Sequence, residues 1–574
     1  MTDFILRIPG DVPATGLQDL FIKMPSGVIH YNGINQALIL WGDPIGGEEF
    51  VRDLDEAIVA DQILSKVYGH YYFLLLNKKE REIIAGNSVF SILPVYYYES
   101  NGEVILSNNA IDLGKYRGLD VISRRFVLET MLFNYPLFNH SIVEKVMLLA
   151  SNSYMKIGSG ALSIVKHTFI EKYFSPDPVP WRKAADALSD AFIDTVKKYL
   201  PVGKYVNALT GGFDSRTLVA AGLASGGDLL CYSFGAPGSK DVEIPDRLAA
   251  IAGLPYKKIL LDDDYVRNES LKNGLEFIRN ASGSASFARG HYLFAAKAMA
   301  EHSGYMITGN FGSELFRAAN VRGVVFSPNL IALFSSGNPD EALKNIAGSR
   351  EFNSVRKESF TAEWDQLRHD IRALPCYSSD YSQLTLNQRF YVYVFEEVFR
   401  KYFGAEMANQ FGYLRNRTPY LDEGFLKSIL GTGFAGVYSD FFERNPFKRY
   451  KGQVLYAHII MRSRPDLGRI ISDKGYCPND LLTFTGKMNV LRGYVKKKIN
   501  KTRAPGDPYS ADRAFRHNIG FYRQVPVDPL LFTQEFLTDK AFEHPDGQLI
   551  MTLSLSLARA AVEGREYHGG PGAG

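Results

Sequence analysis

Short β-branched and aromatic runs, separated by polar turns, occupy the first ~170 residues, a pattern that predicts hairpin-linked strands. Tyr71-Tyr72-Phe73-Leu74-Leu75-Leu76, Glu82-Ile83-Ile84-Ala85-Gly86, Val95-Tyr96-Tyr97-Tyr98 and Val104-Ile105-Leu106-Ser107 are such runs. Asn77-Lys78-Lys79 and Ser100-Asn101-Gly102 between them suit tight turns. An antiparallel sheet domain is expected over 1–175.

The pattern changes after Phe174-Ser175-Pro176-Asp177-Pro178-Val179-Pro180, whose alternating prolines resist helix formation. Beyond them, helices expected near 181–199, 214–225 and 241–253 alternate with strands at Tyr205-Val206-Asn207-Ala208-Leu209, Leu229-Leu230-Cys231-Tyr232-Ser233 and Lys258-Ile259-Leu260-Leu261. Such alternation predicts an α/β domain with a parallel sheet, placed at 181–500, with mostly helical sequence from 320 to 470. Residues 501–574 form a C-terminal extension. Lys496-Lys497-Lys498, Lys501 and Arg503, ahead of Pro505-Gly506, read as a solvated linker or surface, or as an anion contact. The tail Gly569-Gly570-Pro571-Gly572-Ala573-Gly574 has the composition of a disordered segment.

Composition narrows the function classes. With 574 residues, 46% of them hydrophobic, the chain can fill at least two packed cores. The 65 basic and 62 acidic residues balance, so no nucleic-acid partner is implied. Cys231, Cys376 and Cys477 stand far apart without a CxxC pair, which argues against a disulfide framework or zinc site and fits a reduced cytoplasm. Neither a signal segment at Met1-Thr2-Asp3-Phe4 nor a long apolar run appears, so no membrane partner is expected. Oligomeric state is open, with a homodimer among the compatible states.

Candidate chemistry is concentrated at Thr210-Gly211-Gly212-Phe213-Asp214-Ser215-Arg216, between a strand ending at Leu209 and a helix. A glycine loop at a helix N-terminus presents backbone N–H groups to a polyphosphate. Thr210 and Ser215 can donate to phosphate oxygens, and Asp214 can hold magnesium. A bland reading competes with this one, because Asp214 and Ser215 are also good helix caps.

Thr210 to Ser215 resembles the Ser-Gly-Gly-x-Asp-Ser loop of the asparagine synthetase superfamily, with Thr in place of the first Ser. Ser233-Phe234-Gly235, followed by Asp241 and Arg247-Leu248-Ala249, is similar to that family's second strand, whose backbone recognises adenine. Thr308-Gly309-Asn310-Phe311-Gly312-Ser313-Glu314-Leu315-Phe316 partly matches Ser-Gly-x-Gly-x-Asp-Glu-Leu-Phe. Arg417-Thr418-Pro419-Tyr420-Leu421-Asp422 resembles Arg-Val-Pro-Phe-Leu-Asp. In the first region, Asn87-Ser88-Val89-Phe90, Pro94-Val95-Tyr96-Tyr97 and Glu103-Val104-Ile105-Leu106-Ser107-Asn108 look like the middle of the family's glutaminase domain.

The resemblance implies an Ntn-hydrolase-like antiparallel domain followed by an ATP-pyrophosphatase domain with a helical extension. It also implies ATP and Mg²⁺, a small-molecule or peptide carboxylate as substrate, and ammonia or an amine as acceptor. Nucleotide and pyrophosphate would lie on Leu209, Thr210, Gly211, Gly212, Phe213, Asp214, Ser215, Ser233, Phe234, Gly309 and Asn310. Asp214 and Glu314 would hold the metal, and Lys474, with Glu314, would serve catalysis. Lys474, in Ser472-Asp473-Lys474-Gly475-Tyr476, occupies the place of the family's catalytic lysine, or is a solvated loop lysine.

Departures from the pattern shape the expected activity. Thr2 stands where a glutaminase of this family has its nucleophilic Cys, and is either an N-terminal nucleophile or an ordinary residue. No Arg-Gly-Pro-Asp or Asn-Gly-Glu-Ile-Tyr-Asn segment is present to hold glutamine, so glutamine hydrolysis is not expected. Asn310, Phe311 and Ser313 replace Glu, Gly and Asp, and Arg415 replaces a Glu, which points either to an anionic substrate or to a surface exchange. Glu396, Glu397 and Tyr420 are general-base candidates by location alone. A thiolating or tRNA-modifying enzyme lacks its paired cysteines and basic patch here; a scaffolding pseudoenzyme is the alternative that Asn310, Ser313 and Arg415 motivate.

Overall fold

A computed structural model describes residues 3–12, 16–54, 57–317, 325–443, 445, 448, 450–472, 474–499 and 506–565, with the backbone alone at 494 and 496–499. Thr2, Lys501, Arg503 and the glycine-rich tail lie outside the described residues. The strands are β1 (Ile5–Ile8), β2 (Phe21–Lys23), β3 (Ile29–Asn32), β4 (Gln36–Gly42), β5 (Tyr71–Asn77), β6 (Glu82–Asn87), β7 (Tyr96–Ser100), β8 (Glu103–Ser107), β9 (Met147–Leu148), β10 (Ser153–Gly158), β11 (Ala161–Lys166), β12 (Lys204–Ala208), β13 (Asp228–Gly235), β14 (Tyr256–Leu260), β15 (Tyr305–Ile307) and β16 (Arg415–Arg417).

The expected antiparallel region is two facing sheets, ordered β2-β1-β8-β7-β9 and β11-β10-β6-β5-β4-β3. The pleat alternates successive side chains between faces. Tyr72, Leu74 and Leu76 of β5 join Phe4, Leu6 and Ile8 of β1 in the core between the sheets. Tyr71, Phe73 and Leu75 face outward under the helix Ala60–Lys66, packing on Ile63 and Leu64. Burial on both faces explains why β5 reads as one unbroken apolar run.

The third sheet is parallel, ordered β14-β13-β12-β15-β16, with helices Trp181–Tyr199, Asp214–Ala224 and Lys240–Ala252 where the periodicity placed them. All five strands run parallel, and the order in which the chain adds them reverses between β12 and β15: β13 and β14 lie to one side of β12, β15 and β16 to the other. At such a switch point the loops leaving the two central strands diverge and open a crevice. The loop 209–213 leaves β12 there, and the loop 308–311 leaves β15.

Two features depart from the sequence reading. The helix Gly486–Ile499 runs through Lys496-Lys497-Lys498, so the basic run is helical and not a linker. The 501–574 extension contributes the helix Gly547–Val562, whose Leu549, Leu553 and Leu557 are buried in one continuous core with Phe126 and Leu132 of the first region and Phe192 and Phe213 of the second. Among the described residues, no helix is long and apolar enough to cross a membrane.

Buried polar contacts join the antiparallel sheets to the parallel one. Arg417, at the end of β16, holds Asp43 in a bidentate pair (Nε–Oδ2 2.7 Å, Nη2–Oδ1 2.9 Å) and donates to the Tyr199 carbonyl at 2.8 Å. His70 Nε2 lies 2.7 Å from Thr418 Oγ1, and burial lowers the His70 pKa to about 4, so the ring stays neutral. Glu397 sits 2.6 Å from both Arg400 and Lys401, whose cationic ends reach the carbonyls of Leu149, Leu137 and Phe138.

Candidate functional site

The phosphate loop is fixed by its own hydroxyls. Ser215 Oγ accepts from the Thr210 N–H at 2.9 Å and lies 2.9 Å from Thr210 Oγ1, which accepts in turn from the Gly212 N–H at 3.3 Å. Ser215 therefore turns back across the loop, and the N-cap position of the helix Asp214–Ala224 falls on Phe213, which makes no side-chain cap hydrogen bond. The capping reading of Asp214 and Ser215 does not hold, and the positive end of the helix is left for an anion.

Gly309 packs against this turn. A Cβ there would come within 3.2 Å of the Ser215 nitrogen, so the glycine lets the β15 loop approach. Phe311 follows in the left-handed region (φ 74°), a conformation that costs a non-glycine residue about 1 kcal/mol. Its ring, 4.8 Å from Phe399 and 5.0 Å from Phe403, offsets that cost.

Asp214 and Glu314 lie close together. Ser313 Oγ donates to Asp214 Oδ2 at 2.5 Å, and Arg317 donates to Ser313 Oγ while its Nη2 stands 3.7 Å from the same Asp214 oxygen. Glu314 lies near enough for Asp214 to oppose its ionisation; burial is the larger effect, and together they push its pKa up to about 7 against the pull of Arg317. Tyr456 is buried beside the same carboxylate, and burial followed by Asp214 raises its pKa well above the ordinary range.

Lys474 Nζ lies 4.7 Å from the centre of the Phe213 ring, and Tyr476 meets that ring edge-on at 6.1 Å. The Ser472–Tyr476 turn, closed by Ser472 Oγ donating to the Tyr476 carbonyl at 2.7 Å, thus sits on the phosphate loop.

Ser233 and Phe234 lie beyond the β12 end, because the β12–β13 register ends at Ala208 opposite Tyr232. The Ser233 hydroxyl is bound to Tyr256 (2.5 Å), and Phe234 packs among His291, Tyr292 and Tyr509. Asn310 Nδ2 donates to Glu406 Oε1 at 3.4 Å, while Glu406 Oε2 pairs with Arg289 at 3.1 Å.

The general-base candidates each have a partner. Glu396 is paired with Lys166 at 2.6 Å, Glu397 with Arg400 and Lys401, and the buried Tyr420 hydroxyl donates to the Asp214 carbonyl at 2.9 Å. Arg415 pairs with Tyr305 at the amino ends of β16 and β15, across the sheet from the phosphate loop, and donates to the Tyr305 hydroxyl at 2.8 Å. It does not contribute charge to the crevice.

Sequence reasoning missed Arg317, Glu406, Arg289 and Tyr456. All reach the site through contacts between residues far apart in the chain, except Arg317, whose position one residue past Phe316 in the third motif was a usable signal. Among the described residues, no group of three His, Cys, Asp or Glu side chains could hold a metal. A magnesium ion that takes most of its ligands from phosphate oxygens and water would need only the two carboxylates Asp214 and Glu314 from the protein.

No family model matches the chain. It is similar to asparagine synthetase (glutamine-hydrolyzing) 1 of Bacillus subtilis (strain 168), at 24% identity over 268 residues, or 46% of this chain and 41% of that protein. The match thus spans less than half the length of the curated relative. Among solved structures it is similar to the glutamine phosphoribosylpyrophosphate amidotransferase of B. subtilis complexed with ADP and GMP, at 9% identity, covering 45% of this chain and 59% of that one. The TM-score of 0.18 is too low to carry an argument. The sequence similarity agrees with the asparagine synthetase-like resemblance of the four motifs.

Proposed function

We propose that the chain is an ATP-dependent amide-bond synthetase, which adenylates a substrate carboxylate and passes the acyl group to ammonia or an amine, releasing AMP and pyrophosphate. The observation that carries this reading is the convergence, at one switch-point crevice, of an uncapped glycine loop, the Asp214 and Glu314 carboxylates and the Lys474 ammonium. The similarity to an asparagine synthetase supports the same reaction class.

A carboxylate is a poor acyl donor at neutral pH; attack of its oxygen on the α-phosphorus, with pyrophosphate leaving, gives a mixed acyl–phosphate anhydride from which AMP is a good leaving group. The protein's share is positioning and charge neutralisation. Backbone N–H groups of 211–213 and the hydroxyls of Thr210 and Ser215 hold the phosphates, and the carboxyl ends of β13 border the base. Lys474 faces the charge that develops on the α-phosphate as pyrophosphate departs. Magnesium, when bound through Asp214 and Glu314, supplies further neutralisation of the pyrophosphate. The first domain, with Thr2 in place of Cys, takes no part in glutamine hydrolysis. A scaffolding role, motivated by Asn310 and Ser313, is the competing reading.

A pH dependence follows. Glu314 keeps its proton up to about pH 7, and cation binding requires the ionised form. Mg-ATP affinity is therefore expected to rise by about tenfold between pH 6 and 8, the growth in the ionised fraction of a group titrating near 7. Calorimetry at both pH values checks this, and Glu314→Gln should flatten the profile. A wild-type affinity that does not change would remove Glu314 from the metal site.

The proposed function is tested by ATP–pyrophosphate exchange with magnesium across amino acids, uronic acid sugars and peptide acids, with Asp214→Ala as control. Exchange that requires one acid and vanishes in the variant supports adenylation. Absence of exchange with every acid, together with no ATP binding, favours the scaffold.

A further inference from the structure

Arg317 is a cation that none of the four motifs accounts for. Its guanidinium stands over the phosphate loop, on Ser313 and 3.7 Å from Asp214 Oδ2. Nε is buried and has no hydrogen-bond partner among the described residues, whereas 23% of the side chain remains exposed. A buried guanidinium N–H left without an acceptor costs free energy, so the site is incomplete around this residue. Its exposed part gives an acceptor from solution a way in.

The backbone beneath it is rigid. The Tyr391 hydroxyl lies 2.7 Å from the Glu314 carbonyl and 2.8 Å from that of Arg317. Gly452 and Gly436 permit close approach: a Cβ at 452 would lie 2.0 Å from the Phe316 oxygen and 2.9 Å from Arg317 Cγ, and one at 436 would lie 2.3 Å from the Arg317 oxygen. Helices and loops from three distant parts of the chain thus fix where Arg317 points, as a preorganised ligand-binding group requires.

Local charge indicates the ligand. Asp214 is the carboxylate at ion-pair distance from Arg317, and Ser313, which stands where the resemblance has a second acid, is neutral. A planar, always charged fork with a free N–H, beside a loop that offers backbone N–H groups, matches the oxygens of a phosphoanhydride.

We propose that Arg317 binds the β,γ-phosphate portion of the nucleotide, and hence the departing pyrophosphate, carrying positive charge where Ser313 offers no carboxylate for a metal. This inference rests on the ATP reading above and names a further residue of that site.

Calorimetry on the full chain separates the two ideas. Wild-type protein is titrated with Mg-ATP, Mg-pyrophosphate and AMP, and so is Arg317→Gln. The variant is expected to bind Mg-ATP and pyrophosphate about tenfold more weakly or worse, the loss of one charge-assisted hydrogen bond, with AMP affinity within about twofold of wild type. If Arg317→Gln does not fold, Arg317→Lys keeps the charge without the fork and should show a smaller loss confined to the same two ligands. Unchanged pyrophosphate affinity in Arg317→Gln, or an equal loss of AMP affinity in either variant, overturns the proposal and leaves the ATP reading intact. A wild-type protein that binds none of the three ligands overturns both.

Discussion

Replacing Lys474 with alanine is expected to slow ATP–pyrophosphate exchange by about 10²–10³-fold while leaving ATP affinity within a few-fold of wild type. Lys474 touches the phosphate loop through Phe213, with Nζ 4.7 Å from the ring centre, and stands on a turn closed by Ser472 and Tyr476. That position lets the ammonium meet charge which appears only as the α-phosphorus is attacked. An interaction made chiefly in the transition state lowers kcat and spares binding. Lys474→Arg should recover part of the rate, because charge is kept while its placement changes. A loss confined to KM would instead make Lys474 a ground-state phosphate ligand.

The second large effect is on stability. Asp43→Ala leaves the Arg417 guanidinium, 8% exposed, facing a buried space without its bidentate partner. Removing one member of such a pair costs about 3–5 kcal/mol, much more than an exposed ion pair is worth. Because Asp43 follows β4 and Arg417 ends β16, the loss should loosen the contact between the antiparallel sheets and the parallel sheet first. Urea unfolding followed by near-ultraviolet circular dichroism should show an earlier transition in the variant. Replacing both residues with apolar side chains, Asp43→Leu with Arg417→Met, should restore much of the loss. A single variant with wild-type stability would mean that the pair carries no coupling between the layers.

What the chain disclosed in advance follows the range of the forces involved. The phosphate loop, its strand and its helix were legible because they are contiguous and use local rules: an apolar run, two glycines, then helical spacing. The helix Arg124–Phe133 was not read, since every residue from Arg125 to Phe133 is buried and no amphipathic stripe marks it. β15 and β16 are three residues each, too short for a periodicity, although the motifs beside them had been singled out. The partners of the general-base candidates Glu396, Glu397 and Tyr420 were hidden for a related reason. Position in the chain placed them near the motifs, whereas their partners Lys166, Arg400, Lys401 and the Asp214 carbonyl became apparent only in three dimensions. For Arg415 the sequence left an anionic substrate and a surface exchange both open, because its charge was visible but its end of the sheet was not.

The central claim concerns the fate of one oxygen atom. With an acid that supports exchange, labelled with ¹⁸O in its carboxylate, adenylation transfers one labelled oxygen to the nucleotide when the amide forms. Phosphorus NMR and mass spectrometry of a completed reaction should therefore show pyrophosphate together with AMP carrying a single ¹⁸O. Unlabelled AMP, or ADP with labelled inorganic phosphate, would contradict attack of the carboxylate at the α-phosphorus.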